Sequence, residues 1–176
     1  MSIESITGRL NEFSIFGGIE ADALLELADL FETRTYPVGA HLIDEGQQGN
    51  RLYVITEGAV VVSVGVDASK GRAGGDDQLQ LATLGAGDTF GEMELIDTQK
   101  RSATVIALRQ TATLELTNMG LFAIFQRDPD AFRMIMMNLA RDLSRRLRAA
   151  DLRLAALAEG GESGALSRRD RIPDSK

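Results

Sequence analysis

Glu92 and Arg101 frame the stretch of this chain whose residue types suit the binding of a charged small molecule: Gly87-Asp88-Thr89-Phe90-Gly91-Glu92-Met93-Glu94-Leu95-Ile96-Asp97-Thr98-Gln99-Lys100-Arg101-Ser102-Ala103-Thr104-Val105. Gly91 lets the backbone turn sharply off a strand, and the residues after it can form one helical turn. The N–H groups of such a turn have no partners within the helix and point outward, where they coincide with the positive end of the helix dipole; anions bind there. Ser102-Ala103-Thr104-Val105-Ile106 reads as a strand with Arg101 at its start, placed to close on the same anion through two parallel hydrogen bonds. Glu92 is an acceptor beside an anion site, which makes sense for a ligand that also offers hydroxyl donors. A sugar phosphate meets both demands.

The elements that must hold these residues are predicted from periodicity. From Ile6 to Phe31 the spacing is helical: Leu24, Leu25, Leu27, Ala28 and Phe31 oppose Asp22, Glu26, Asp29 and Glu32, and Gly17-Gly18 divides the region in two. From Arg34 to Leu116 the period becomes two. Leu52-Tyr53-Val54-Ile55 leads through Glu57-Gly58 into Ala59-Val60-Val61-Val62-Ser63-Val64, and Ala112, Leu114 and Leu116 share one face of a later strand. Asp67 to Asp77 reads as a long, mobile hairpin loop. The helical period then returns. Thr117 caps a short helix, and Asp128-Pro129 opens a longer one, expected to run to about Ala158 and to stop at Gly160-Gly161. Short strands without intervening helices argue for a barrel, roll or sandwich, and the expected fold is mainly β with flanking helices, a double-stranded β-helix or jelly-roll-like β-roll. Its expected domain covers residues 1–158, made of helices over 6–31, a roll over 34–116 and C-terminal helices over 118–158, with 159–176 a disordered polar tail.

Composition narrows the chemistry. The 176 residues carry a net charge of −7, which opposes general binding to a phosphate backbone. Cysteine is absent, which excludes disulfides and thiolate metal sites. The single histidine, His41, reads as a surface or packing residue, and no metal or cofactor is expected. No apolar run approaches the roughly 18 residues of a membrane span, and Met1 to Leu10 lacks a signal-peptide core. A cytoplasmic chain is expected, without membrane or nucleic-acid partners of its own.

The Glu92–Arg101 stretch resembles the phosphate-binding cassette of the cyclic-nucleotide-binding domain family, the effector domain of catabolite activator proteins and protein kinase A regulatory subunits. Phe90-Gly91-Glu92, Leu95-Ile96 and Arg101-Ser102-Ala103-Thr104-Val105 carry the likeness, with Arg51-Leu52-Tyr53-Val54-Ile55-Thr56-Glu57-Gly58 upstream. The resemblance implies that Glu92 accepts from a ribose 2′-hydroxyl and that Arg101 pairs with the exocyclic oxygens of a cyclic phosphate. It further implies that backbone N–H groups of Glu92, Met93 and Glu94, with those around Ser102 and Ala103, complete the cradle. Ser102 is then placed to donate to the phosphate or to reach a guanine amino group. Two residues depart from the pattern. Lys100 stands where proline is frequent, and Glu94 replaces a small residue; its carboxylate either repels the phosphate or points into solvent.

Met136, Ala140, Leu143, Leu147, Ala150, Leu154 and Leu157 form a heptad seam, predicting a parallel homodimer through the C-terminal helix. Arg146 has two readings, a contact to the purine or a partner across that dimer. The functional expectation is a non-enzymatic sensor of cAMP, or of cGMP, that signals to an unidentified protein partner through movement of this helix. The alternatives are an interaction module with a pocket that binds nothing and a transcription regulator truncated before its DNA-reading part. The few polar residues after Ala158 point to a stand-alone effector domain without a DNA-binding domain.

Overall fold

The computed structural model describes residues 10–67, 72–73, 77–97 and 99–166. The described residues form nine strands: β1 (Phe31–Tyr36), β2 (His41–Ile43), β3 (Arg51–Glu57), β4 (Ala59–Asp67), β5 (Arg72–Ala73), β6 (Asp77–Gly85), β7 (Thr89–Phe90), β8 (Thr104–Ala107) and β9 (Thr111–Thr117). They form two antiparallel sheets, one ordered β1-β9-β3-β7 and the other β2-β8-β4-β5, with β6 also paired to β4. The fold is mainly β with flanking helices, as expected.

Alternation along β3 explains how the sheets stack. Tyr53 and Ile55 point to one face and enter a cluster with Phe90 of β7 and with Ile43, Val60 and Val105 of the second sheet. Leu52 and Val54 point to the other face, as do their β9 partners Leu116 and Leu114, and all four are buried. That outer face meets helices: α3 (Asn118–Arg127) contacts β9, and Gly120 comes so close that a β-carbon there would lie 2.8 Å from Leu116 Cδ1.

The helix signals before and after the roll fare differently. Thr117 caps α3, its hydroxyl accepting from Gly120 N at 3.0 Å. Asp128 Oδ1 accepts from Asp130 N and Ala131 N, and α4 begins at Pro129. The expected helices over 6–31 are instead short pieces: 3-10 turns at Leu10–Glu12, Ser14–Phe16 and Ala28–Leu30, with α1 limited to Ala21–Glu26. Phe31 is not helical. It opens β1 opposite Leu116 and packs edge-on against Phe16 with centroids 5.4 Å apart, so the roll starts three residues before the predicted Arg34. The run Phe31-Glu32-Thr33-Arg34-Thr35-Tyr36 alternates and is rich in strand-favouring residues, and pairing with β9 outweighs the local helical spacing.

Part of the expected Asp67–Asp77 loop is strand, with Asp67 opposite Arg72 and Val66 opposite Ala73; residues 68–71 and 74–76 lie outside the described residues. The last helix also differs. α4 spans Pro129–Leu166 and passes through Gly160-Gly161, where a stop and a disordered tail were expected. Two glycines lower helix propensity without forcing a break. Residues 167–176 of that expected tail lie outside the described residues, as do residues 1–9.

Contacts divide the chain into two units, Met1–Asn138 and Leu139–Lys176. In the first, the buried Asn138 amide donates to the carbonyls of Ile15 and Gly17, tying the N-terminal turns to α4. The second is helical, with exposed Leu147, Leu152, Leu154 and Leu157. Among the described residues no helix is long and apolar enough to cross a membrane.

Candidate functional site

Gly91 separates β7 from α2 (Met93–Asp97), with φ at 77°. That conformation favours glycine, and a β-carbon would also meet Arg51 O at 2.7 Å and Arg101 Nη1 at 2.8 Å. The sharp turn read from the sequence is therefore present, followed by a single short helical turn. Glu92 sits at its start and is 5% exposed.

Arg101 reaches the same place from the far side of the loop and is 6% exposed. Its Nη1 donates to Gly91 O at 3.2 Å and its Nη2 to Arg51 O at 3.0 Å. The guanidinium carbon lies 5.9 Å from the centroid of the Tyr53 ring, a cation–π distance. Tyr53 in turn stacks on Phe90, with centroids 4.7 Å apart and planes 1° from parallel. The Arg101 backbone is gripped as well: its N–H donates to Gln47 O and its carbonyl accepts from Gly46 N, both at 2.8 Å. Burial raises the Tyr53 hydroxyl above its ordinary value, aided by nearby Glu115 and opposed by Arg101, so this ring stays neutral beside the cation.

The expected site residues thus fall as follows. Phe90, Gly91, Glu92 and Arg101 are brought together in the first unit. Ser102 and Met93 adjoin them, the exposed Ser102 hydroxyl donating to the Met93 sulfur at 3.5 Å, and Ala103 is half-buried on the way into β8. Glu94 has its backbone in α2, and the direction of its carboxylate lies outside the described residues. Arg146 belongs to the second unit, where its guanidinium pairs with Asp142 Oδ2 at 2.7 Å along the same helix.

Sequence reasoning missed a charged group on the inner face of the first sheet. Glu115 is 1% exposed, and its carboxylate accepts from Tyr36 OH at 2.6 Å, Thr113 Oγ1 at 3.1 Å and Arg51 Nη1 at 3.1 Å. Arg34 Nε stands 3.6 Å away, and Glu32 accepts from Arg51 at 2.8 Å. Burial and the Glu115 carboxylate together raise the Tyr36 hydroxyl above its ordinary value. Thr111, Thr113 and Glu115, on the strand face opposite Ala112, Leu114 and Leu116, are all three buried. Among the described residues no group of three or more His, Cys, Asp or Glu could hold a metal ion, and His41, exposed on β2, pairs with Asp44.

A two-sheet roll thus carries a glycine-turned loop with a buried carboxylate and a buried arginine beside it. Residues 33–128 match the family model described as cyclic nucleotide-binding domain, and the chain belongs to that family. It is 34% identical over 144 residues to the cyclic AMP receptor protein of Thermus thermophilus, covering 82% of this chain and 62% of that one. It is also 34% identical over 151 residues to glutaminase 1 of Bradyrhizobium diazoefficiens, covering 86% of this chain and 23% of the relative. A solved cyclic nucleotide-binding domain from Methylobacillus flagellatus superposes with a TM-score of 0.73 at 25% identity, covering 88% of this chain and 83% of that one. The chain thus spans less than two thirds of the two curated relatives named.

Proposed function

We propose that the chain is a cyclic-nucleotide sensor, with cAMP preferred over cGMP, and that it binds without catalysing a reaction. The observation that carries this reading is Arg101, nearly buried and held on the Gly91 carbonyl, beside the nearly buried Glu92 that follows Gly91 in the chain. A guanidinium suits phosphate oxygens and a carboxylate suits hydroxyl donors, so a cyclic phosphate joined to a ribose complements both. In this reading Arg101 pairs with the phosphate oxygens and Glu92 accepts from the 2′-hydroxyl. The α2 N–H groups and the Ser102 hydroxyl supply further donors. Preference for cAMP rests on the Thermus thermophilus relative, which is named a cyclic AMP receptor.

The output in this reading is a shift in α4 toward the nucleotide-bound arrangement, which changes the surface offered to a protein partner. The exposed Leu147, Leu154 and Leu157 support a homodimer seam along the C-terminal half of α4. A ligand that binds only the folded chain stabilises it by about 2.7 kcal/mol at roughly a hundredfold excess over Kd. The melting temperature should therefore rise with cAMP, less with cGMP, and hardly at all in Glu92→Gln. A Tm indifferent to both nucleotides would support the interaction-module alternative instead.

A further inference from the structure

Gly49 is a glycine for a different reason from its neighbours. Gly46, Gly58 and Gly91 adopt positive φ values of 80°, 95° and 77°, where side chains are strained. Gly49 is not among the positive-φ glycines, so a left-handed backbone is not what requires glycine there. What it lacks is space. A β-carbon at Gly49 would lie 2.0 Å from Arg101 Nε, 2.2 Å from Cζ and 2.4 Å from Nη2. By contrast, Gly46 in the same loop has nothing within 4 Å of that point. The guanidinium itself occupies the place of the missing side chain.

From this we infer that Gly49 is a positioning residue for nucleotide binding: its missing β-carbon lets Arg101 lie on the Arg51 and Gly91 carbonyls and over Tyr53. The inference rests on the sensor reading and deepens it. The loop Asp44–Asn50 holds Arg101 twice, by the backbone bonds of Gly46 and Gln47 and by leaving room for the guanidinium plane at Gly49. The group in the way is the far end of a long, flexible side chain. A methyl at position 49 is therefore accommodated by swinging the guanidinium aside, not by moving a strand. The fold survives while the planar fork loses its aim, and a fork displaced by an ångström no longer meets two phosphate oxygens at once.

The test titrates wild type, Gly49→Ala, Arg101→Lys and the double variant with cAMP and cGMP, alongside their melting temperatures and a crystal structure of nucleotide-free Gly49→Ala. Expected are an affinity loss of roughly tenfold or more in Gly49→Ala and a Tm change below about 4 °C. In the Arg101→Lys background the loss should shrink to within about twofold, because the two residues act as one unit. The crystal structure should show the guanidinium off both carbonyls, and it decides the matter should the variant lose more stability than expected. Wild-type affinity in Gly49→Ala, equal losses in both backgrounds, or an unmoved guanidinium would overturn the inference. A wild type that binds neither nucleotide overturns the sensor reading itself, and is thereby distinguished from a failure of Gly49 alone.

Discussion

At the scale of single residues, Glu115 shows how a charge can be held inside a β-roll. It has three hydrogen-bond donors around it and a second guanidinium close by, all from strands β1, β3 and β9. Glu115→Gln keeps the shape and removes the charge, and an amide must place a donor where the carboxylate only accepts. Loss of about 1–3 kcal/mol of unfolding free energy is expected in urea titration, the range for a buried hydrogen-bonding group left badly partnered. An unchanged midpoint would mean that Arg51 and Arg34 are served equally well by solvent. Residues of this kind explain the limits of the sequence reading. Arg101, Glu92 and Gly91 were legible because they lie within one short segment and few chemistries need all three. Glu115 was not, because Thr-Ala-Thr-Leu-Glu-Leu alternates like any half-exposed strand and its partners Tyr36 and Arg51 are distant in sequence. Gly49 was hidden for the same reason, since Arg101, which occupies its missing side chain, is far along the chain.

At the scale of elements, ion pairs join pieces that the backbone does not. The Ala28–Leu30 turn is bound to the end of α3 by Arg127, which donates to both Asp29 oxygens at 2.7 and 3.0 Å. β1 and β3 share the pair Glu32–Arg51. The hydrogen bond from Arg127 holds Asp29 below its ordinary value of 3.8, and those from Arg51 and then Arg34 hold Glu32 below 4.5. A carboxylate whose folded value is depressed stabilises fully above its unfolded value and loses that contribution as pH falls through the folded one. Stability should therefore decline as the pH drops below about 4.5, weakly and more so at low salt, because both carboxylates are exposed. Urea midpoints measured across that range in low and high salt check this, and a midpoint that rises with acidification would contradict it. Capping signals were the reliable part of the element reading: Thr117 and Asp128-Pro129 stand where their side chains require. Helix lengths were less so. Phe31 was drawn into a strand by β9, a partner distant in sequence, and Gly160-Gly161 did not stop α4, since two glycines lower helix propensity without forcing a break.

At the scale of the whole molecule, the chain is one member of the cyclic nucleotide-binding domain family whose first unit brings Gly91, Glu92 and Arg101 together and whose second presents exposed leucines along a helix. If the exposed leucines form a dimer seam, light scattering should give twice the monomer mass, and Leu154→Glu should return it to the monomer mass; a monomeric wild type at tens of micromolar would contradict the seam. Whether Arg101 holds a cyclic phosphate is tested by isothermal titration of wild type and Arg101→Ala with cAMP and with cGMP. Micromolar or tighter binding in wild type is predicted, tighter for cAMP, with the variant weakened by about 2–5 kcal/mol, or roughly thirtyfold to several-thousandfold. Nucleotide binding that is equally tight without the arginine, or no heat from either nucleotide with wild type, would contradict it.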